Sequence, residues 1–277
     1  MRGPIVVGVD GSPSAATALR WGVDEARRRS VPLVAAMAWL PVDGHWPARG
    51  PAGYDQSDAA LALDLFVDRA IGDEPACRRV VCDRPVQGLV ALAEEASLLV
   101  LGPRGVGGFL DLHLGSTTFG VLRRSSRPVA VVRGPGGEGP VVVGVDGSPG
   151  AEAALRWAVD ETRRRGGALE VIVAWQRPAL ASWALSRTAP YTEEMTAEAE
   201  HLLEEALVRV DTSGLPVVRT VVEGSPAGAL LAGSRAASVL VVGTRGRGAV
   251  ADAILGSVSH QVVDHSLGPV VVVPDVA

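Results

Sequence analysis

One glycine signature occurs twice in this chain and constrains what the chain can fold into. It reads Gly102-x2-Gly105-x9-Gly115-Ser116 in the first half and returns 141 residues later as Gly243-x2-Gly246-x9-Gly256-Ser257. Each copy lies between an apolar run typical of a strand and a segment typical of a helix. A glycine-rich loop in this context exposes backbone amides and brings an anion to a helix N-terminus. Each half is therefore predicted to hold a phosphate group.

The duplication extends well beyond these loops. Residues 5–29 and 141–165 are identical at 19 of 25 aligned positions. The offset between the copies is 136 residues there and 141 at the glycine signature, so the second copy has five more residues in between. A chain of 277 residues has the length of two domains. We predict a first domain over 1–134, a linker over 135–140 and a second domain over 141–277.

Strand and helix patterns alternate in both halves. Strands are predicted near 5–10, 32–39, 77–82, 97–102 and 128–133, and helices near 13–29, 58–72, 86–96 and 116–125. The second half has predicted strands near 141–146, 168–175, 216–222, 238–243 and 269–274, and helices near 149–166, 192–210, 226–236 and 257–266. This alternation favours an α/β fold in which a parallel sheet carries helices on both faces.

Charge and composition exclude several classes of function. The formal net charge of −5 gives no general attraction to nucleic acid or to acidic membranes. No run of 18 apolar residues is present, and the first residues lack the apolar region of a signal peptide, so we expect a cytoplasmic protein. The sequence contains no lysine, which excludes a Walker A loop and a Schiff-base mechanism.

Cysteine, histidine and loop aspartate residues give weak signals for a metal. Cys77 and Cys82 lie five apart on a predicted strand, so their side chains point to opposite faces and we expect plain buried or half-exposed thiols. His260 and His265 lack the i, i+4 spacing of a zinc helix. The aspartates Asp111 and Asp252 occupy matching loop positions. Two interpretations are open for them, as ligands of Mg²⁺ or as surface carboxylates.

These motifs together resemble the universal stress protein family, in the tandem form of its ATP-binding branch. The matching features are the strand followed by Asp-Gly-Ser, the glycine signature and the closing Pro-Val-x-Val-Val strand, each present twice. The resemblance implies two Rossmann-like, nucleotide-α-hydrolase-type sheets of five parallel strands in the order 3-2-1-4-5. It also implies that the halves pair through their final strands about a pseudo-twofold axis, and a homodimer is a further option. In this strand order, ligands bind in the crevice at the carboxyl ends of strands one and four.

The resemblance also implies which residues meet ATP, with or without Mg²⁺. The adenosine would contact Asp10 and Ala38 in the first half, and Asp146 and Ala174 in the second. The phosphates would lie against the loop and the start of the next helix, which comprise Gly102, Arg104, Gly105, Gly115, Ser116, Thr117 and Thr118, and in the second half Gly243, Arg245, Gly246, Gly256, Ser257, Val258 and Ser259.

Several of these residues have an ordinary structural role as an alternative. Ser116 and Ser257 also stand where a helix N-cap is expected. Asp-Gly-Ser forms turns without any ligand. A loop arginine such as Arg104 or Arg245 can be simply solvated, although a guanidinium matches phosphate oxygens well.

The two loops differ in sequence, and we expect the second site to bind more tightly. Pro103 and Val106 replace Thr244 and Arg247, so the first loop lacks a hydroxyl and a positive charge. Asp83-Arg84-Pro85 also stands where the second half has Gly224-Ser225-Pro226, and a glycine lets the turn approach the site closely.

Three classes of function remain at this point. The first is an ATP-binding stress-response or regulatory protein whose occupancy changes its conformation or its protein partners, without catalysis. The second is a slow nucleotide hydrolase of the related fold. The third is a nucleotide-free dimerisation scaffold, which collapsed or blocked glycine loops would favour.

Overall fold

A computed structural model describes residues 3–40, 55–106, 114–177, 189–246 and 255–275. The chain divides into two compact units, Met1–Pro135 and Gly136–Ala277. Each unit contains five strands and four helices in alternation among its described residues.

The first unit is a parallel sheet with the strand order β3-β2-β1-β4-β5. Its strands are β1 (Ile5–Gly8), β2 (Leu33–Trp39), β3 (Cys77–Cys82), β4 (Leu98–Leu101) and β5 (Val129–Val131). Its helices are α1 (Pro13–Arg29), α2 (Gln56–Ile71), α3 (Pro85–Ala93) and α4 (Ser116–Leu122). All residues of β1 and β4 are buried, as expected for central strands that are covered on both faces.

The second unit repeats this arrangement, with the order β10-β9-β6-β7-β8. Its strands are β6 (Val141–Gly144), β7 (Leu169–Trp175), β8 (Val217–Glu223), β9 (Val239–Gly243) and β10 (Val270–Val273). Its helices are α5 (Pro149–Arg165), α6 (Ala189–Val208), α7 (Pro226–Gly233) and α8 (Ser257–His265). The predicted order 3-2-1-4-5 is therefore confirmed in each unit.

The start of the first helix follows from its sequence. Ser12 is the N-cap, and its hydroxyl accepts a hydrogen bond from the Ala15 amide at 3.1 Å. Pro13 at the first helical position fixes a favourable φ and has no amide to satisfy. The preceding Gly11 has a φ of +86°, a left-handed conformation that glycine adopts at little cost. Asp-Gly-Ser-Pro thus turns the chain sharply from β1 into α1.

The largest differences between observed and predicted boundaries are three residues, at the start of α6 and at the ends of three short helices. Helices α3, α4 and α7 each end three residues earlier than predicted. Helix α7 ends at Gly233, and the Ser234 hydroxyl donates to the Leu231 carbonyl at 2.8 Å. A terminal hydroxyl that bonds to the backbone competes with continuation of the helix. Apolar periodicity alone does not show this.

The two cysteines differ from the expectation of buried or half-exposed thiols. Both Cys77 and Cys82 are free and exposed. They lie on β3, which is the outermost strand of the first sheet. All residues of β3 are exposed or half-buried. The outer position explains why side chains on both faces reach solvent.

Residues of the predicted linker are hydrogen-bonded to the second unit. The Gly137 amide donates to the Ala237 carbonyl at 2.8 Å, and the Gly139 amide donates to the Ala236 carbonyl at 3.0 Å. A side chain at Gly137 would lie 2.3 Å from the Ala236 carbonyl oxygen, so glycine is required for this approach. The segment after Gly136 is therefore held in place by backbone contacts.

Each unit buries one glutamate on its first helix. Glu25 is fully buried and forms ion pairs with Arg28 at 2.9 Å and Arg29 at 3.4 Å. Glu161 is its counterpart and pairs with Arg164 at 3.2 Å and Arg165 at 2.8 Å. A buried carboxylate is tolerated when it is paired and hydrogen-bonded. The repeated Arg-Arg-Arg ending of these helices supplies the partners.

No helix in the described part of the chain is long and apolar enough to cross a membrane.

The two units provide a matched test of helix capping. The Ser225 hydroxyl caps α7 by accepting the Gly228 amide at 3.1 Å, whereas Arg84 at the same position of α3 makes no such bond. We expect Ser225→Ala to lower the free energy of unfolding by about 1 kcal/mol, while Arg84→Ala changes it little. Arg84→Ser should stabilise the protein. Urea unfolding measures all three changes, and equal effects of the two alanine variants would contradict the assignment.

Candidate functional site

A cavity of about 510 Å³ opens at the carboxyl ends of β1 and β4 in the first unit. The chain reverses its direction of strand addition between these strands, which is where ligands bind in open α/β sheets. The cavity is lined by Gly8, Val9, Asp10, Ala15, Ala36, Ala38, Pro85, Leu89, Leu101, Gly102, Arg104, Gly105, Val106, Gly115, Ser116, Thr117 and Thr118. Every predicted site residue of the first half lies in this lining.

Asp10 holds the glycine loop in place. One oxygen of its carboxylate accepts the Ser12 amide at 3.1 Å, and the other accepts the Val106 amide at 2.7 Å. A side chain at Gly105 would lie 2.1 Å from Asp10 Oδ2, so any other residue would displace the carboxylate from its bond with the Val106 amide. The second glycine of the signature thus lets Asp10 hold the loop.

The second unit has the same contact between aspartate and loop. Asp146 Oδ1 accepts the Ser148 amide at 3.0 Å and the Ser148 hydroxyl at 2.6 Å. A side chain at Gly246 would lie 2.4 Å from Asp146 Oδ2. Both halves therefore bring the aspartate after the first strand against the loop after the fourth.

The first glycine of each signature packs against the first helix of its unit. A side chain at Gly102 would lie 3.0 Å from the backbone carbon of Ser14. One at Gly243 would lie 2.6 Å from the backbone carbon and oxygen of Gly150. Backbone cannot move aside as a flexible side chain can, so these glycines serve packing between loop and helix.

The third glycine, and not the serine after it, begins the helix that follows. Gly115 and Gly256 are the N-caps of α4 and α8, and no side chain caps either helix. The expectation that Ser116 and Ser257 stand at the N-cap is therefore wrong, because each is the first helical residue. The Gly115 amide donates to the Pro103 carbonyl at 2.8 Å, and the Gly256 amide donates to the Thr244 carbonyl at 2.7 Å.

Two hydroxyls of the signature region bond to the protein backbone. Thr118 donates to the Gly102 carbonyl at 2.8 Å, and Ser259 donates to the Gly243 carbonyl at 2.6 Å. Both side chains are buried. They tie the helix after the loop to the end of the strand before it. Thr118 and Ser259 therefore hold the loop together, whatever else their hydroxyls contact.

The remaining predicted residues occupy equivalent places in the two units. Ala38 and Ala174 are half-buried near the ends of β2 and β7. Thr117 and Val258 are the second residues of α4 and α8, and both are half-buried. Asp111 and Asp252 lie outside the described residues. Within the described ranges, no group of three or more histidine, cysteine or acidic residues could hold a metal ion.

The structure weakens two of the sequence arguments for the expected ranking of the sites, those on Thr244 and Gly224. Thr244 is buried, and its hydroxyl accepts the Asp275 amide at 3.4 Å beyond β10. A side chain at Gly224 would meet only Val222, at 3.9 Å, so no close approach depends on that glycine. Arg245 lies 3.8 Å from the Asp275 carboxylate, an acidic residue where the first half has Gly134. Tighter binding at the second site therefore has less support than the sequence alone indicated.

Sequence reasoning missed Ser14. Its hydroxyl donates to the Arg104 carbonyl in the middle of the first loop. The aligned residue in the second repeat is Gly150, so comparing the copies gives no signal for a role of this serine.

Comparisons with known proteins agree with the fold and the duplication. The sequence model of the "Universal stress protein family" matches residues 1–133 and 139–274. A universal stress protein of Mycobacterium tuberculosis is 32% identical over 286 residues, which cover 97% of this chain and 95% of the relative. A universal stress protein of Mycobacterium bovis is 33% identical over 295 residues, at 97% and 96% coverage. The crystal structure of a universal stress protein from Archaeoglobus fulgidus superposes with a TM-score of 0.66 at 22% identity, covering 99% of this chain and 97% of that one.

The contact between Asp10 and the loop can be tested in solution. Asp10→Ala removes the acceptor for the Val106 amide, so we expect hydrogen exchange at that amide to become about tenfold faster. Nuclear magnetic resonance on the labelled chain measures the rate. Asp24→Ala is a matched control, since the exposed Asp24 on α1 pairs only loosely, at 3.6 Å, with Arg27. Unchanged exchange at Val106 would show that the carboxylate does not hold the loop.

Proposed function

The chain belongs to the universal stress protein family in a tandem form. We propose that it is a regulatory protein that binds an adenine nucleotide and that its principal ligand is ATP. The observation that carries this proposal is the cavity of about 510 Å³ in the first unit, where the glycine loop, Asp10 and the start of α4 converge. Its size falls within the range of small-molecule sites. Binding in one or both units would then change the conformation of the protein or its choice of partners.

The two ends of the cavity suit the two ends of a nucleotide. Ala36, Ala38 and Leu89 form an apolar wall, and small side chains there leave room for a planar base. The opposite end consists of glycine backbone and the hydroxyl-bearing Ser116 and Thr117, groups that suit phosphate oxygens. The carboxylate of Asp10 lies between loop and sheet, where it can face a sugar hydroxyl. This polarity favours a nucleotide over a wholly apolar ligand.

The lining favours binding without catalysis. The ionisable side chains of the cavity are Asp10 and Arg104 among the residues described. The Asp10 carboxylate accepts the amides of Ser12 and Val106, so it is committed to holding the loop and is poorly placed to take up a proton during a reaction. We therefore propose a binding protein and not an enzyme. We further propose that the protein acts in a stress response and that it does so in the cytoplasm.

A nucleotide-free scaffold is a further candidate. Collapsed or blocked glycine loops would favour this class. The first-unit cavity is open, and the described loop residues, Gly102, Arg104, Gly105, Val106 and Gly115, line it. The geometry of the first unit therefore supports binding over a purely structural role.

The nucleotide content of the purified protein tests the proposal. Protein prepared without added ligand is denatured, and the released bases are separated and quantified against protein concentration. We expect one or two adenine nucleotides per chain, or binding at that stoichiometry when ATP and Mg²⁺ are added. Neither bound nor added nucleotide would overturn the proposal in favour of the scaffold.

Nucleotide binding by glycine variants shows which of the two loops holds each bound nucleotide. Gly105→Val and Gly246→Val each place a side chain against an aspartate carboxylate, so each should remove one site and leave the other. Gly167→Val is the matched control, because a side chain there meets nothing within 4 Å and the backbone is unstrained. Loss of binding in the control would mean that the effect is not specific to the loops.

Catalysis is tested separately by phosphate release from ATP with Mg²⁺. We expect no sustained release above that of the double variant Gly105→Val/Gly246→Val, because the one carboxylate in the described lining of the first-unit cavity, Asp10, accepts two loop amides and is poorly placed to act as a base. Turnover that persists in the native chain and disappears in the double variant would favour the hydrolase.

A further inference from the structure

Ser14 is the one side chain on α1 whose described hydrogen bond reaches the first glycine loop. Its hydroxyl donates to the Arg104 carbonyl oxygen. The Ser12 hydroxyl lies 3.2 Å from the Ser14 hydroxyl and also accepts the Ala15 amide, so the two serines form a short chain from the helix start to the loop. The loop in turn packs directly on Ser14 at Gly102.

The second repeat holds the corresponding carbonyl in a different way. Gly150 replaces Ser14, and a side chain there would lie 2.7 Å from the Arg245 carbonyl oxygen. Ser148, the counterpart of Ser12, is 3.4 Å from that oxygen and 2.6 Å from Asp146 Oδ1. One hydroxyl has one proton, and the shorter bond to a charged carboxylate is the stronger one. The Arg245 carbonyl is therefore held more weakly than the Arg104 carbonyl.

The direction of the Arg104 carbonyl decides the direction of the next amide. In a planar trans peptide the carbonyl and the amide of the same unit point in opposite directions. When Ser14 holds the Arg104 carbonyl toward α1, the Gly105 amide must point away from α1. This peptide borders the start of α4, since the Gly105 nitrogen lies 3.7 Å from the position of a side-chain carbon on Gly115.

Neighbouring amides of this loop thus have separate tasks. The Val106 amide donates to Asp10 and is used within the protein. By the peptide geometry above, the Gly105 amide points away from α1, into the cavity that Gly115, Ser116 and Thr117 also line. An amide fixed in this direction before binding costs less to order when an anion arrives.

We propose that Ser14 is a positioning residue for phosphate in the first crevice and that it makes the two crevices unequal. Through the Arg104–Gly105 peptide, it presents the Gly105 amide to the phosphate of a bound nucleotide. This inference rests on the proposed function, because it assigns the phosphate to that same cavity. The base and the sugar do not depend on Ser14, since they lie toward the strands.

Titration of the full-length, ¹⁵N-labelled chain with AMP and with adenosine tests this role. The Gly105 and Gly246 amide resonances report the first and the second crevice separately in one sample. Ser14→Ala should weaken AMP binding read at Gly105 by about three- to tenfold, the effect of one hydrogen bond. Adenosine binding at Gly105 and AMP binding at Gly246 should be unchanged. Ser14→Gly, which copies the second repeat, should behave in the same way.

Thr17→Ala is the matched control, because it also removes a hydroxyl from α1, one that donates to the Pro13 carbonyl at 3.2 Å, away from the loop. It should leave both affinities unchanged. AMP affinity that is equal in the native and Ser14→Ala chains would overturn the role of Ser14 alone. An equal loss for AMP and adenosine would also overturn it, since it would indicate general loosening. If AMP shifts neither resonance in the native chain, the proposed function fails as well.

Discussion

The close approach of each glycine loop to the first helix of its unit determines the geometry of both candidate sites. Gly102 contacts the backbone of Ser14, and Gly243 contacts the backbone of Gly150, at distances that leave no room for a side chain. This contact brings the loop within reach of the aspartate at the end of the first strand. In the first unit, the described part of the loop is held at the edge of the cavity in this way, and the Val106 amide bonds to Asp10.

Most of the fold could be predicted from the sequence, because the signals are local and occur twice. Apolar runs such as Val270–Val273 define buried strands, and Ser-Pro pairs mark helix starts. The 3-2-1-4-5 order came from the family resemblance and not from these patterns. The early ends of α4 and α7 could not be predicted, because helix termini depend on backbone bonds that periodicity does not record.

The location of the site could be predicted from the sequence, but the structural roles of its residues could be predicted less well. The glycines were expected to expose backbone amides to phosphate, which stays a prediction. The structure adds a second reason for them, because Gly105 lies against the Asp10 carboxylate and Gly102 lies against α1. Ser116 was expected at a cap because serine favours that position, but glycine also begins helices and does so here. Ser14 acts through a carbonyl of the opposing loop, a contact between residues 90 positions apart that has no sequence pattern.

The buried Glu25 and Glu161 bear on how the two copies can diverge. Replacing either glutamate by a neutral residue removes the buried carboxylate with which two arginines of the same helix pair. Replacing one of those arginines weakens the pairing of a fully buried charge, and both changes destabilise a protein. A change that keeps the stability of this helix must therefore alter the glutamate and its arginines together. Both copies of the helix contain the same linked group of charges, within a stretch that is identical at 19 of 25 positions in the two halves.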